Sequence, residues 1–234
     1  MLILGIETAT EQVSCAIGGH EGVLGLFEVA RGRRHAELLA PAIEFLCRQA
    51  DVTLDEIGAI AVDTGPGLFT GMRVGIATAK AMAHALRVPV IPMTSLDLLA
   101  LPLRHADRLI GAVIDARRGE VYHAAYRQVP GGVQRVEGPA VGPVDDLVAD
   151  LLATGEDALL VGDGALRYRE RICAGARRVE FAEQWLAHPS AAPLVQLAHA
   201  KALREEWVQP SEVQPLYLRH PDAEINWATR ESAR

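Results

Sequence analysis

Short apolar runs separated by polar turns open the chain. Residues 2–6 form one such run, apolar and polar positions alternate from Val13 to Ile17, and residues 23–29 form a third run. Runs of this length with glycine or polar residues after them are typical of strands. The pattern therefore predicts a meander of three strands at the N-terminus.

Helix and strand patterns then alternate. Apolar residues recur at helical spacing in residues 35–49, although Pro41 predicts either a kink or a helix that starts only near Ala40. Residues 57–62 and 89–91 read as strands, and residues 70–86 read as a helix between them. Three strands, then helix, strand, helix and strand, predict the α/β class.

The second half carries a weaker pattern. A lobe boundary is expected near residue 105, which gives lobes at 1–105 and 106–218 and a polar tail at 219–234. No sequence repeat is visible, but the two halves can share a topology without sequence similarity. The pattern in the second half predicts strands at 110–114, 120–127 and 159–161, and helices at 144–152 and 191–207.

Composition restricts the function classes. Half of the 234 residues are hydrophobic and 23% are charged, which is typical of a folded globular protein. A net charge of -7 argues against a chain that binds RNA by itself. Any role in RNA chemistry would therefore need a partner that makes the RNA contacts. The chain has no apolar run near the ~18 residues of a membrane span and no secretion signal, and its three cysteines match no metal or redox spacing. We therefore expect a cytoplasmic protein.

Two segments could bind an anion. Glu7, Thr8 and Thr10 follow the first strand, where hydroxyls and backbone amides could hold a phosphate group, or could simply form a polar turn. Residues 63–71 are glycine-rich and lead into a helix, an arrangement that can bind anions, but the Walker A and Gly-x-Gly-x-x-Gly spacings are absent. Spacing alone leaves both readings open.

A stripe of very small residues follows that loop. Gly71, Gly75, Ala79 and Ala83 recur every four residues and share one face of the predicted helix. Such a face lets another element approach closely. The close neighbour is either the protein's own sheet or a helix of another subunit.

No catalytic centre follows from spacing. None of the eight histidines lies three or four residues from another, and no Gly-x-Ser-x-Gly nucleophile motif occurs. Spacing therefore predicts neither a metal site nor a catalytic residue.

Four blocks resemble one known family. Residues 3–10, 65–75, 114–122 and 215–219 are similar, in this order, to blocks of the TsaB family. The resemblance implies a two-lobed, actin-like α/β fold with mixed sheets. It also implies a cytoplasmic, non-catalytic partner of a TsaD-like subunit, which transfers a threonylcarbamoyl group to an adenosine next to the tRNA anticodon. A TsaE-like ATPase completes the implied complex, and tRNA is expected to be bound only through it.

The non-catalytic role rests on two positions. The resembling catalytic relatives carry Asn-His-x-x-x-His after the corresponding strand, and its metal-binding histidines fall here on Ser95 and Leu99. Leucine cannot ligate a metal. Leu68 departs from the serine usual in the TsaB family, and its effect on the loop stays open.

The resemblance also implies a partner interface, in which the two helices predicted at 35–49 and 70–86 form a bundle with the same pair of a partner. We expect Gly75→Leu to leave the chain folded and to abolish partner binding. Without the partner, the same surface is expected to form a homodimer. The expected interface residues are Leu38, Leu39, Ala42, Phe45, Leu46, Gly71, Gly75, Ala79 and Ala83.

Nucleotide binding and two other functions stay open. No cofactor is required by the chain itself, while ATP or ADP is expected either near Glu7, Thr8 and Thr10 or at the junction with the partner. An ATP-dependent small-molecule kinase of the same fold class would use Asp63 and Asp115. A peptidase would need a nucleophile and base that the sequence does not show.

Overall fold

The computed structural model of the protein describes residues 1–30 and 35–219, which fold into two five-stranded sheets with helices around them. The first sheet comes from the N-terminal part of the chain. Its elements are β1 (Leu2–Glu7), β2 (Val13–Gly19), β3 (Gly22–Val29), α1 (His35–Ala50), β4 (Ile57–Asp63), α2 (Phe69–Leu86), β5 (Val90–Met93) and α3 (Ser95–Ala100).

The second sheet follows, and its strands all lie after the predicted lobe boundary. Its elements are β6 (Leu109–Arg117), β7 (Glu120–Val129), β8 (Gly132–Pro143), α4 (Val144–Thr154), β9 (Ala158–Val161), α5 (Asp163–Arg167), α6 (Arg169–Gly175), β10 (Val179–Phe181) and α7 (Ala191–Ala202).

The two sheets have the same topology. The first has the order β3-β2-β1-β4-β5, and the second, read from β8, has the order β8-β7-β6-β9-β10. In each sheet the first three strands are antiparallel and the last two join in parallel. The predicted mixed sheets of a two-lobed α/β protein are therefore present, built on one repeated plan that no sequence repeat reveals.

Two helices are exchanged between the sheets. Helix α7 follows the second sheet, yet its Leu194 and Val195 pack with Ile3 and Ile91 of the first. Helix α3 follows the first sheet, yet its Leu96 and Leu99 pack with the second sheet. A single cut near residue 105 would therefore separate each sheet from a helix that covers it.

Helices α1 and α2 cover the opposite face of the first sheet. Their apolar stripes form one core with β1, β2 and β4, which follows from the helical spacing of the apolar residues. The outward faces of both helices remain at the surface. The residues that they contribute to this core are Leu39, Ala42, Ile43 and Leu46 of α1 and Ile76, Ala79 and Ala83 of α2.

At three elements the structure differs from the prediction. Helix α1 begins at His35 and continues through Pro41, whose side chain is exposed, so a start near Ala40 is wrong. Helix α7 ends at Ala202 and not at Trp207, because the chain turns so that Val208 pairs with Val90 beside β5. Strand β8 was missed, because it lies at a sheet edge, where proline and glycine weaken the strand pattern.

None of the helices in the described ranges is long and apolar enough to cross a membrane. The predicted tail at 219–234 lies, apart from Arg219, outside the described residues.

Candidate functional site

The turn after β1 and the glycine-rich loop after β4 lie against each other. The two strands are parallel neighbours, so the loops that follow them meet at one edge of the sheet. The backbone amide of Leu68 donates to the Ala9 carbonyl at 2.6 Å, and the Thr8 hydroxyl donates to the Gly71 carbonyl at 2.8 Å. Helix α2 therefore starts directly on the β1 turn.

The three residues that were expected to bind a phosphate have side chains that point into the protein. Glu7, Thr8 and Thr10 are 0%, 1% and 3% exposed. The Glu7 carboxylate accepts the Ala9 amide at 2.7 Å, and the Thr10 carbonyl contacts the His35 ring at 2.8 Å. These side chains stabilise the turn, and they do not form an open phosphate site.

The cavity beside this turn is very small. It lies between the β1 turn, Leu68 and the start of the second sheet at Asp115, and its volume is about 10 Å³. Arg117 pairs with Glu11 across it, joining the two sheets. Small-molecule sites usually need ~300–1,000 Å³, so the described residues do not enclose a nucleotide here.

The small stripe of α2 packs on the protein's own sheet, which corrects the expected interface. A Cβ at Gly71 would overlap the Thr8 carbonyl, and one at Gly75 would overlap the Thr8 hydroxyl. Ala79 and Ala83 are 0% exposed within the core. The close neighbour is therefore β1 and its turn, and the Gly75→Leu chain is no longer expected to stay folded.

Three of the five expected anchors on α1 are also covered. Leu39, Ala42 and Leu46 are at most 4% exposed and belong to the core under the helix. Leu38 is half-buried at the edge of that core, and only Phe45, at 45% exposed, stands at the surface. The predicted stripe is the face that holds α1 on its sheet.

The outward face of α2 was missed. Ala77, Ala81 and Ala85 recur every four residues and are exposed, on the side of the helix opposite to Gly75. The same four-residue spacing of small side chains marks this face in the sequence. Spacing alone could not choose between the two faces, because both are small.

An aromatic cluster stands at the start of the same helix. The rings of Phe69 and Tyr217 stack with centroids 5.5 Å apart, and each residue is 40% exposed. The Arg73 guanidinium lies 3.8 Å from the Phe69 ring centroid and donates from Nε to the Tyr217 hydroxyl at 3.0 Å. Because Phe69 and Arg73 precede Ala77 at four-residue spacing, this cluster continues the exposed face of α2.

The two positions of the expected histidines lie at the start of α3. The Ser95 hydroxyl donates to Asp63 Oδ1 at 2.8 Å, and Leu99 is 2% exposed in the core of the second sheet. Both side chains therefore have structural partners. Across residues 1–30 and 35–219, no group of three or more His, Cys, Asp or Glu side chains is arranged to hold a metal ion.

The two aspartates of the kinase alternative are also engaged. Asp63 is 1% exposed and accepts the Gly65 amide at 2.7 Å. Asp115 lies between two guanidiniums, with Arg117 at 3.5 Å and Arg167 at 3.4 Å. Asp115 is the member of the pair that lies beside the small cavity.

Comparison with known proteins assigns the family. Residues 27–227 match the family described as TsaD, tRNA N6-adenosine threonylcarbamoyltransferase. The tRNA threonylcarbamoyladenosine biosynthesis protein TsaB of Haemophilus influenzae is 28% identical over 97% of this chain and 96% of its own length. A YeaZ structure from Pseudomonas aeruginosa is 28% identical, has a TM-score of 0.77, and covers 93% of this chain and 100% of its own. The chain belongs to the TsaB family.

Other relatives differ in how much of their length is matched. This TsaB-family chain is 36% identical to the uncharacterized protein Rv3421c of Mycobacterium tuberculosis, over 94% of the chain and 93% of that protein. It spans only 58% of a 35% identical Mycobacterium leprae protein, and 59% of Bacillus subtilis TsaB, which is 33% identical. The family and the fold shared with the YeaZ structure are therefore established.

Proposed function

We propose that the chain is a non-catalytic subunit of the complex that transfers a threonylcarbamoyl group to an adenosine next to the tRNA anticodon. The observation that carries this proposal is the pair Ser95 and Leu99, which occupies the positions of the metal-binding histidines in the resembling catalytic relatives. The Ser95 hydroxyl donates a hydrogen bond to Asp63, and Leu99 is packed in the core of the second sheet. A leucine side chain has no atom that can ligate a metal.

The partner in this proposal is a TsaD-like catalytic subunit, which docks on the outward face of α1 and α2. Phe45, Phe69 and Tyr217 expose large aromatic surfaces there, and exposed aromatic groups are common anchors of interfaces. The alanine stripe of α2 at Ala77 and Ala81 would let a partner helix approach closely. The same face would form a homodimer in the absence of the partner.

The proposed subunit role also indicates where a nucleotide, tRNA and a TsaE-like ATPase would bind. With a cavity of about 10 Å³ beside Thr10, ATP or ADP would lie at the junction with the partner and not within this chain alone. The net charge of -7 supports tRNA binding through the complex. A TsaE-like ATPase would act through the same complex, which would work in the cytoplasm.

The test is a reconstituted reaction followed by tRNA nucleoside mass spectrometry. The mixture holds the TsaD-like and TsaE-like proteins of the same organism, threonylcarbamoyl-AMP, ATP and unmodified tRNA, with or without this chain. Modified adenosine is expected to accumulate only when the chain is present. Equal product without the chain would contradict the subunit role.

A variant arm tests the surface in the same assay. Ala77→Arg places a long charged side chain on the exposed stripe and is expected to weaken binding of the TsaD-like subunit at least tenfold, with a matching loss of product. Leu152→Arg is the matched control, because Leu152 is 59% exposed on α4, away from this face. If the two variants bind the partner equally well, the docking face lies elsewhere.

A further inference from the structure

Two buried carboxyl groups lie side by side at the ends of β1 and β4. Ile6 pairs with Val62 in the parallel register, so Glu7 and Asp63 are the next neighbours across the two strands. Neighbours in a parallel pair point to the same face of the sheet. Glu7 is 0% exposed and Asp63 is 1% exposed.

In each carboxyl group, one oxygen accepts hydrogen bonds and the other has no hydrogen-bond partner among the described residues. Glu7 Oε1 accepts the Ala9 amide at 2.7 Å, while Asp63 Oδ1 accepts the Gly65 amide at 2.7 Å and the Ser95 hydroxyl at 2.8 Å. Glu7 Oε2 and Asp63 Oδ2 are buried without a hydrogen-bond partner among the described residues. Two adjacent carboxylates with unsatisfied buried oxygens are unfavourable unless a proton neutralises one of them.

Among residues 1–30 and 35–219, the charges that act on the pair do not compensate it. They are the carboxylates of Glu28 on β3 and Asp97 on α3. The titratable group that α1 brings near is His35, whose ring contacts the Thr10 carbonyl. The first amide of α7 is already bonded to the Ser14 hydroxyl.

The direction of the pKa shifts agrees with this geometry. Burial, and then the charge of Asp63, raise the pKa of Glu7 well above its usual value. Burial raises the pKa of Asp63 to about 7, although the Gly65 amide and the Ser95 hydroxyl oppose the shift.

We infer that Glu7 and Asp63 bind a proton between them, and that this proton holds together the two loops on which helix α2 starts. Glu7 anchors the β1 turn, and Asp63 anchors the loop that ends at Leu68. These loops are joined by the bond from the Leu68 amide to the Ala9 carbonyl. Loss of the proton places two negative charges between them, which loosens this bond and the first turn of α2.

The sign of the stability change follows from linkage. In the unfolded chain both groups lose their protons near their ordinary pKa values of 3.8 and 4.5, whereas the folded pair keeps one to higher pH. Unfolding then releases a proton, so the unfolding equilibrium constant rises with pH, by up to about tenfold per pH unit for one proton. The rise begins near pH 4 and ends above the folded pKa of about 7 for Asp63.

The first experiment measures the unfolding constant by urea denaturation at pH 5, 6, 7 and 8. Glu7→Gln replaces the proton with an amide donor and is expected to reduce the rise in the unfolding constant by at least half. Glu21→Gln is the control, because the Glu21 carboxylate is 68% exposed, and its profile should follow that of the wild type. A Glu7→Gln profile parallel to the wild type would overturn the inference.

The second experiment needs no variant. Carbon-13 NMR of the side-chain carboxyls of the wild-type chain should show that one of Glu7 and Asp63 titrates above pH 6. Amide exchange should show that protection at Leu68 falls over the same pH range, relative to Val62 in β4. Titration of both carboxyls below pH 5, or constant relative protection at Leu68, would each overturn the inference.

Discussion

Thr8 fixes how closely α2 approaches the first sheet. Its hydroxyl donates to the Gly71 carbonyl at 2.8 Å and occupies the space where a side chain at Gly75 would begin. Glycine at both positions is therefore required by the close contact with Thr8. One residue of the turn after β1 thus sets the position of a whole helix.

At this scale we predict that Gly75→Ala destabilises the chain by about 1–3 kcal/mol, because the added methyl group meets the buried Thr8 hydroxyl. Helix propensity alone would give the opposite sign, since alanine is favoured over glycine by about 1 kcal/mol. Urea denaturation measures the difference. Ala77→Leu, at an exposed position of the same helix, should change stability by no more than about 0.5 kcal/mol.

The same residues show what the sequence could and could not reveal. The spacing of Gly71, Gly75, Ala79 and Ala83 correctly predicts a close contact, but not the identity of the neighbour. A helix with small residues on two opposite faces has no periodicity signal for its orientation, and the deciding contact with Thr8 is about 65 positions away in the chain. Exposure of Phe45 and burial of Leu39 depend on tertiary packing in the same way.

At the scale of elements, α3 is tied to the second sheet by a polar network. Asp97 Oδ1 accepts the Tyr126 hydroxyl at 2.9 Å and the Arg135 guanidinium at 2.6 Å, and its other oxygen accepts the Thr94 hydroxyl at 2.6 Å. Tyr126 is 1% exposed, so its hydroxyl has no solvent to replace this bond. The network joins α3 to β7 and β8.

We predict that Asp97→Asn lowers the free energy of unfolding by about 1–2 kcal/mol, because charge-assisted bonds to Tyr126 and Arg135 are weakened in a partly buried setting. Thermal and urea unfolding check the change. Asp145→Asn is the matched control: this carboxylate also meets an arginine, Arg171, at 2.6 Å, but at an exposed site. An equal loss for both variants would show that burial of the network does not matter.

Elements with a clear apolar pattern were predicted from the sequence, and elements without one were not. Strands β1 to β4 and helix α2 carry enough alternating positions to identify them, whereas the six-residue α3 was not predicted. Its residues are apolar on several sides, because α3 is enclosed between both halves of the chain. Enclosure removes the polar face that would mark a helix.

At the scale of the whole molecule, the exchanged helix α7 covers one face of the first sheet. Leu194 is 0% exposed and belongs to that core, so Leu194→Ala is expected to cost about 2–5 kcal/mol and to destabilise the N-terminal sheet. Amide exchange in β1 and β5 measures this effect directly. Leu203→Ala just beyond the helix, where the side chain is 75% exposed, should leave protection there unchanged.

The exchange of α3 and α7 also has a consequence for how the chain folds while it is being synthesised. The first sheet is complete when Met93 has left the ribosome, but the helix that covers one of its faces begins only at Ala191. For roughly 100 residues of synthesis, a nascent chain would carry an apolar surface formed by Ile3, Ile91 and their neighbours. Such a chain would depend on chaperones during translation, and it would reach its native state only when the C-terminal half closes over the N-terminal half.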